Sequence, residues 1–248
     1  MRFIRVSYRF LYFIIYTACI VAEVYWHSAV LHSSQLRVMA VRRRWARRVL
    51  RRVGVVTTEA GRPPDFPCLL LANHRSYLDP ILILRNVNAF PVAKAELADW
   101  PLIGKGARWA GILYVQRSQG ASRISTLKAI ADTVLVRKFP VILFPEGTTS
   151  DLPGMLPFKS GGIRAAVKYN LPVVPVAICF SDKQDFWVGE VGFLKHAWQR
   201  FQKKKLEARV IYGPKLEFDN SEELEGAVRN WIETQLMEFS KNVSAVSP

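Results

Sequence analysis

The chain has 248 residues, half of them hydrophobic, and its 35 lysines and arginines against 20 acids give a net charge of +15. That length suits one catalytic domain with an appendage, and the apolar fraction suits a globular domain carrying a membrane-seeking piece. Cys19, Cys68 and Cys179 lie in apolar runs and His27, His32, His74 and His196 show no ligand spacing, which points away from a disulfide framework and from a metal centre.

The charge is uneven. Residues 1–60 hold eleven arginines against Glu23 and Glu59. Phe10 to Leu31 is largely apolar, strongest to Ala22 and then interrupted by Glu23, His27 and Ser28, so it can span a bilayer only if those are tolerated. An anchor is expected rather than a cleaved leader, because Ile20 stands where a cleavage site wants a small residue. Arg37 to Arg52 holds eight arginines and no acid. There Val38, Val41, Trp45 and Val49 fall on one helical stripe with most arginines opposite, the pattern of a helix lying in a membrane interface. Residues 1–52 are therefore read as a membrane anchor. Single span, re-entrant loop and interfacial hairpin all fit it. Positive-inside charge places the domain after this anchor on the cytoplasmic face of the inner (plasma) membrane. The expected partner is an anionic phospholipid membrane; the chain beyond the basic run carries no nucleic-acid-binding motif.

From Val53 strand-like and helix-like segments alternate. Expected strands are Val53–Thr57, Pro67–Ala72, Ala89–Lys94, Gly111–Val115, Pro140–Phe144, Val173–Ile178 and Ala208–Tyr212. Expected helices are Pro80–Asn86, Ile103–Ala110, Ser122–Lys138, Gly161–Tyr169 and Ser221–Phe239. The alternation predicts an α/β fold over residues 53–240, a mixed, largely parallel sheet flanked by helices, with 241–248 as a tail.

Three polar clusters stand at or beyond predicted strand ends, where open α/β sheets put their chemistry. Cys68 to Ala72 empties into Asn73-His74-Arg75-Ser76-Tyr77-Leu78-Asp79-Pro80. Asp79 before proline is a good helix N-cap. A turn between His74 and Asp79 would let the carboxylate fix the imidazole tautomer and leave the other ring nitrogen as a base. Gly111 to Val115 delivers Arg117, suited to a phosphate. Val141 to Phe144 opens into Pro145-Glu146-Gly147-Thr148-Thr149-Ser150, where Gly147 permits close approach and hydroxyls and amides can bind an anion. Glu146 is expected to orient Arg117 or a substrate hydroxyl. Lys94, Lys105 and Lys159 add positive charge at the same edge. A fourth strand, Val173 to Ile178, has Pro175 near its start, which predicts an edge or a bulge there. No Gly-x-Ser-x-Gly elbow and no placed cysteine supplies a protein nucleophile. A histidine base alone implies direct attack by a substrate hydroxyl on an activated acyl carbon.

Together these blocks resemble the glycerolipid acyltransferases, in particular the bacterial 1-acyl-glycerol-3-phosphate acyltransferases. Asn73, His74 and Asp79 match an N-H-x4-D block and Gly111 to Arg117 a G-x-x-Y-V-x-R block. Phe144 to Ser150 matches F-P-E-G-T-x-S, and Val174 to Val176 matches V-P-V. Gln116 stands where the family often has an acid. The resemblance implies transfer of an acyl group from acyl-CoA or acyl-carrier protein, a co-substrate rather than a tightly bound cofactor, to a lysophospholipid acceptor. It implies His74 as general base oriented by Asp79, with Arg117, Glu146, Gly147 and Thr148 at the acceptor phosphate. A different lyso-lipid acceptor, such as a lyso-ornithine lipid, and a lipid hydrolase or thioesterase remain alternatives.

Overall fold

The computed structural model describes residues 1–95, 109–115 and 120–246. The amino end is a helical hairpin: α1 (Arg2–Tyr25), one turn of π-helix (Trp26–Val30) and α2 (Gln35–Val53). Ser34 caps α2 through its hydroxyl, and Gly54 closes it in the left-handed conformation with φ 89°. A side chain at Gly54 would also run into the Arg9 guanidinium. Tyr8, Tyr12 and Tyr16 recur every fourth residue on α1; Tyr12 stacks on Tyr16, and Tyr8 meets Tyr12 at a tilt. Arg52 lies over Tyr12 and Arg48 over Tyr16, as cation–π contacts between the antiparallel helices. Glu23, the acid that interrupts the apolar run, pairs with Arg44, and Trp45 Nε1 donates to Thr17 Oγ1 at 3.1 Å.

The apolar stripe of α2 does not lie open to a bilayer. Val38, Val41 and Val49 are buried. Val6, Ala46, Val49, Leu50 and Val53 share one cluster with strand residues Leu70, Val176 and Val210, so the hairpin packs as part of the α/β core. Arg9 fastens α1 further by donating to the carbonyls of Phe201, Lys203 and Lys204 at 2.6–2.9 Å. The outward apolar row belongs to α1: Ile4, Tyr8, Leu11 and Ile15, at i, i+4, i+7 and i+11, are all exposed.

Seven strands form the sheet: β1 (Val55–Ala60), β2 (Leu69–Ala72), β3 (Phe90–Lys94), β4 (Leu113–Val115), β5 (Val141–Leu143), β6 (Val173–Phe180) and β7 (Leu206–Tyr212). Their order is β1-β7-β6-β2-β5-β3-β4. Every pairing is parallel except β6 with β7. The mixed, largely parallel sheet expected from the alternation is what forms. Successive residues of β2 supply opposite layers, Leu69 and Leu71 one core and Leu70 and Ala72 the other. The hairpin, α3 (Asp79–Leu84) and α6 (Phe193–Arg200) cover the face of Leu70, while α4 (Gly120–Leu135), α5 (Gly161–Lys168) and α7 (Ser221–Val246) cover the other.

Differences from expectation are local. Val53 closes α2 instead of opening β1. The expected helix Ile103–Ala110 lies almost wholly outside the described residues. Nothing in the sequence announced α6, and α7 runs to Val246 through most of the expected tail. Pro175 sits inside a central strand, yet beside a bulge. Val173 bridges to Leu216 and Val176 pairs with Tyr212, so two residues of β6 face three of the partner segment.

Because β2 lies between β5 and β6, the turns leaving β2 and β5 emerge side by side at the carboxyl edge of the sheet. This is the geometry in which an open α/β sheet forms a crevice.

Candidate active site

β2 delivers His74 two residues beyond its last paired residue, and a tight turn brings Asp79 back to it. The turn is closed by Asp79 N–H donating to Ser76 C=O at 3.1 Å. His74 Nδ1 and Asp79 Oδ2 are 2.7 Å apart. A carboxylate can only accept, so Nδ1 carries the proton, and in the neutral ring the lone pair is then on Nε2. The same Oδ2 accepts the amides of Arg75 at 2.6 Å and Ser76 at 2.8 Å. Asp79 thus stands in the first turn of α3, with Pro80 after it, but its carboxylate binds upstream amides rather than capping the helix. Its side chain is fully buried, whereas that of His74 keeps 21% exposure. The imidazole stacks on Phe144, the residue leaving β5, with centroids 4.2 Å apart.

The backbone of His74 is held on both sides by the neighbouring turn. Its N–H donates to Glu146 Oε1 at 2.9 Å, and its carbonyl accepts from Ser150 N–H at 3.0 Å. Glu146 is buried, and its second oxygen accepts from Leu156 N–H at 2.8 Å. Burial pushes its carboxyl above the usual glutamate range, opposed by those two amides and by Arg75. Glu146 therefore acts here as a brace beneath the histidine. Arg117, which it was expected to orient, lies outside the described residues. Gly147 takes φ 73°, a conformation suited to glycine. Thr148 is exposed, and with Gly147, Thr149 and His74 it lines one cavity.

Three supports went unassigned in the sequence. Asn73 extends the sheet by one side chain, donating to Ile178 C=O at 2.8 Å and accepting from Ile178 N–H at 2.7 Å. A polar residue directly after a buried strand was the signal for it. Arg75 is 2% exposed and donates to the carbonyls of Ser150 and Gly154; no local pattern distinguishes such an arginine from a surface one. Lys159, noted only as nearby charge, is tied to the turn by its N–H donating to Pro145 C=O at 2.9 Å.

The cavity that reaches His74 has a volume of about 590 Å³ and is walled mainly by apolar side chains. Along α1 it is lined from Phe10 to Val24, roughly 21 Å at the helical rise. Arg42, near its far end, is buried and donates to the carbonyls of Ala89 and Ala110 at 2.5 Å each. Burial lowers its pKa to about 9. The buried thiols of Cys68 and Cys179 are pushed up to about 12, which denies them thiolate character. A histidine with a bound orienting acid, a free ring nitrogen and a long greasy slot can deprotonate a hydroxyl beside an extended hydrocarbon.

The chain is similar to known proteins in sequence and in fold. The model of the Acyltransferase family matches residues 52–179. The 1-acyl-sn-glycerol-3-phosphate acyltransferase alpha of Homo sapiens is 34% identical over 151 residues, 60% of this chain and 50% of that protein. The 1-acyl-sn-glycerol-3-phosphate acyltransferase of Neisseria meningitidis is 32% identical over 162 residues, 62% of this chain and 63% of that protein. The chain spans about half the length of the mammalian relatives it matches. The crystal structure of the 1-acyl-sn-glycerophosphate acyltransferase from Thermotoga maritima superposes with a TM-score of 0.76 at 21% identity, covering 96% of this chain and 98% of that one. With the matched region enclosing His74, Asp79 and the Gly147 turn, the chain belongs to the Acyltransferase family.

Proposed function

We propose that this chain transfers an acyl group from an acyl thioester, acyl-CoA or acyl-carrier protein, to the sn-2 hydroxyl of 1-acyl-glycerol-3-phosphate, giving phosphatidic acid. The observation that carries this reading is the His74–Asp79 pair, 2.7 Å apart at the mouth of an apolar slot. His74 Nε2 takes the hydroxyl proton as the acceptor oxygen attacks the thioester carbonyl. The carbon–sulfur bond then breaks, and the departing thiolate receives that proton from the imidazolium. Asp79 holds the ring and stabilises its charged form in between. The acceptor itself is the nucleophile, so no acyl-enzyme forms and no bound cofactor is needed. The slot along α1 has the length and lining for an acyl chain. Acceptor phosphate falls to the Gly147–Thr148 turn and to Arg117. The exposed row of α1 and the outward arginines of α2 support work on an anionic phospholipid membrane, from the cytoplasmic face of the inner membrane.

The test is acylation of lysophosphatidate by the purified protein with each thioester donor. Transfer by wild type, and its loss by about two to four orders of magnitude in His74→Ala, is expected. Wild-type rates in His74→Ala, or fatty acid released at one rate with and without acceptor, would overturn the proposal.

A further inference from the structure

The slot is walled by two separate parts of the chain. Phe10 and Phe13 come from α1, while Trp187, Gly189 and Phe193 come from the segment that leads into α6. That segment stands close to the catalytic turn, because the Tyr77 ring meets Trp187 and Phe193 edge-on with centroids 5.8 and 4.8 Å apart. Trp187 N–H also donates to Arg75 C=O at 2.8 Å, one residue past His74. The start of α6 is thus built onto the turn that carries the base.

What this segment turns outward is apolar. Leu194 is 69% exposed and Val191 39%, and neither lines the slot. Leu194 stands one helical turn before Trp198, and Trp198 packs on Phe3 and Phe10 of α1 with centroids 5.8 and 5.4 Å apart. Phe3 is itself 71% exposed and precedes Ile4, where the outward row of α1 begins. The apolar surface therefore continues from that row across Phe3 and Trp198 to Leu194. Lys195 beside it and Lys204 after α6 are exposed, against Glu190 in the loop. Greasy side chains next to long basic ones suit the surface of a lipid bilayer.

Contact through α1 alone would leave the domain free to roll about the helix axis. A second contact off that axis removes the freedom, and the slot is lined from both. We infer that Val191 and Leu194 form a second bilayer-contacting surface, which seats the slot mouth on the membrane so that an acyl chain passes between bilayer and slot without crossing water. This rests on the proposed lipid substrate for its purpose, but not for the contact itself.

The experiment places an environment-sensitive NBD dye on the full chain, with the exposed Cys19 replaced by serine and Cys68 and Cys179 left buried. One protein carries the dye at Leu194→Cys. Another carries it at Met237→Cys, exposed on α7 over the opposite face of the sheet. With vesicles of phosphatidylglycerol and phosphatidylethanolamine, emission from position 194 should shift to the blue and be quenched by lipids spin-labelled on the acyl chain. Emission from position 237 should do neither. In the double variant Val191→Gln with Leu194→Gln, transfer to vesicle-borne lysophosphatidate per bound molecule should fall about five- to tenfold, as the seated population loses that apolar contact. Transfer to acceptor dispersed in detergent should not change. A dye at position 194 that stays in water while the chain cosediments with vesicles overturns the inference and leaves attachment through α1 standing. A chain that binds no vesicle overturns it together with the membrane reading. Blue emission without vesicles, growing with protein concentration, would put a second copy on the patch and overturns it too. Should position 194 insert while wild type transfers to no lyso-lipid, the acyltransfer reading fails and the membrane seat stands.

Discussion

Asp79 directs three N–H groups, the His74 ring and the amides of Arg75 and Ser76, onto a single oxygen, while its other oxygen is buried without a partner among the described residues. An asparagine cannot replace that arrangement. If its carbonyl takes the three donors, its NH2 faces a buried place with no acceptor. If it flips, donors oppose donors. Asp79→Asn should therefore lower transfer roughly 10²- to 10⁴-fold, since the imidazolium also loses its counter-charge. It should also lower the denaturant midpoint measurably, by about 1–3 kcal/mol of stability. Glu146 gives the opposite lesson. From the sequence it looked like a residue facing substrate, because it follows a strand and precedes a glycine; the fold instead turns it under His74. Whether a carboxylate at a strand end faces a ligand or two backbone amides depends on the path of residues 151–156, which no short pattern encodes. The pH dependence comes from its raised pKa. A carboxyl raised by folding contributes stability that is full below the unfolded glutamate value and is lost as pH rises through the folded one. Relative to Glu146→Gln, wild type should thus gain stability on acidification across that window. At neutral pH Glu146→Gln should still be the less stable, because one of the two amides then meets an NH2. Urea midpoints at a series of pH values measure both.

At the scale of elements, the parallel sheet was legible because β2, β5 and β6 are short apolar runs ending in polar turns, each a pattern set by burial on both faces. The hairpin was legible as helix but not as core. Its amphipathic stripe says only that one face of α2 is covered, and lipid, α1 and the sheet are equivalent to that test. α1 covers Val38 and Val41, the sheet side of the core takes Val49 and Val53, and arginine side chains provide the fastening. Arg42 joins α2 to the residues before β3 and β4 through the carbonyls of Ala89 and Ala110. Arg42→Met should fill similar volume while removing both of those donors, with a loss of about 1.5–3 kcal/mol. Hydrogen exchange should rise first at the starts of β3 and β4. Protection unchanged there, with stability lost elsewhere, would mean that the arginine acts by packing alone. α6 escaped notice for a related reason: Phe193, Trp198 and Phe201 pack on the same core as α1, and Trp198 and Phe201 meet α1 directly through Phe3 and Phe10. Its apolar positions make sense only once α1 is in place.

For the whole molecule, the proposed attachment to a membrane would divide between the two helices of the hairpin. α1 buries one side against the domain and turns Ile4, Tyr8, Leu11 and Ile15 outward, each about half exposed or more. The Arg2–Val30 helix is long and apolar enough to cross a bilayer, but Arg5 and Arg9 bind carbonyls of residues 201–204, which ties its amino end to the α/β domain. A helix so fastened presents its row along the surface. Beside it Arg48 and Arg52 lie over tyrosines of α1 with their charges near solvent. Apolar contact and charge should then contribute separately to vesicle binding, at about 1 kcal/mol per arginine near an anionic surface and more for each large apolar side chain removed from water. Replacing Ile4, Leu11 and Ile15 together by Gln should lower partitioning onto both anionic and neutral vesicles by at least about tenfold. Raising salt from about 0.1 to 0.5 M should weaken only the anionic case, as the Debye length contracts. Co-sedimentation of the full chain separates the two terms. Salt-sensitive binding that ignores the triple substitution would leave the arginines as the whole attachment, and the slot along α1 would then fill from water rather than from the bilayer.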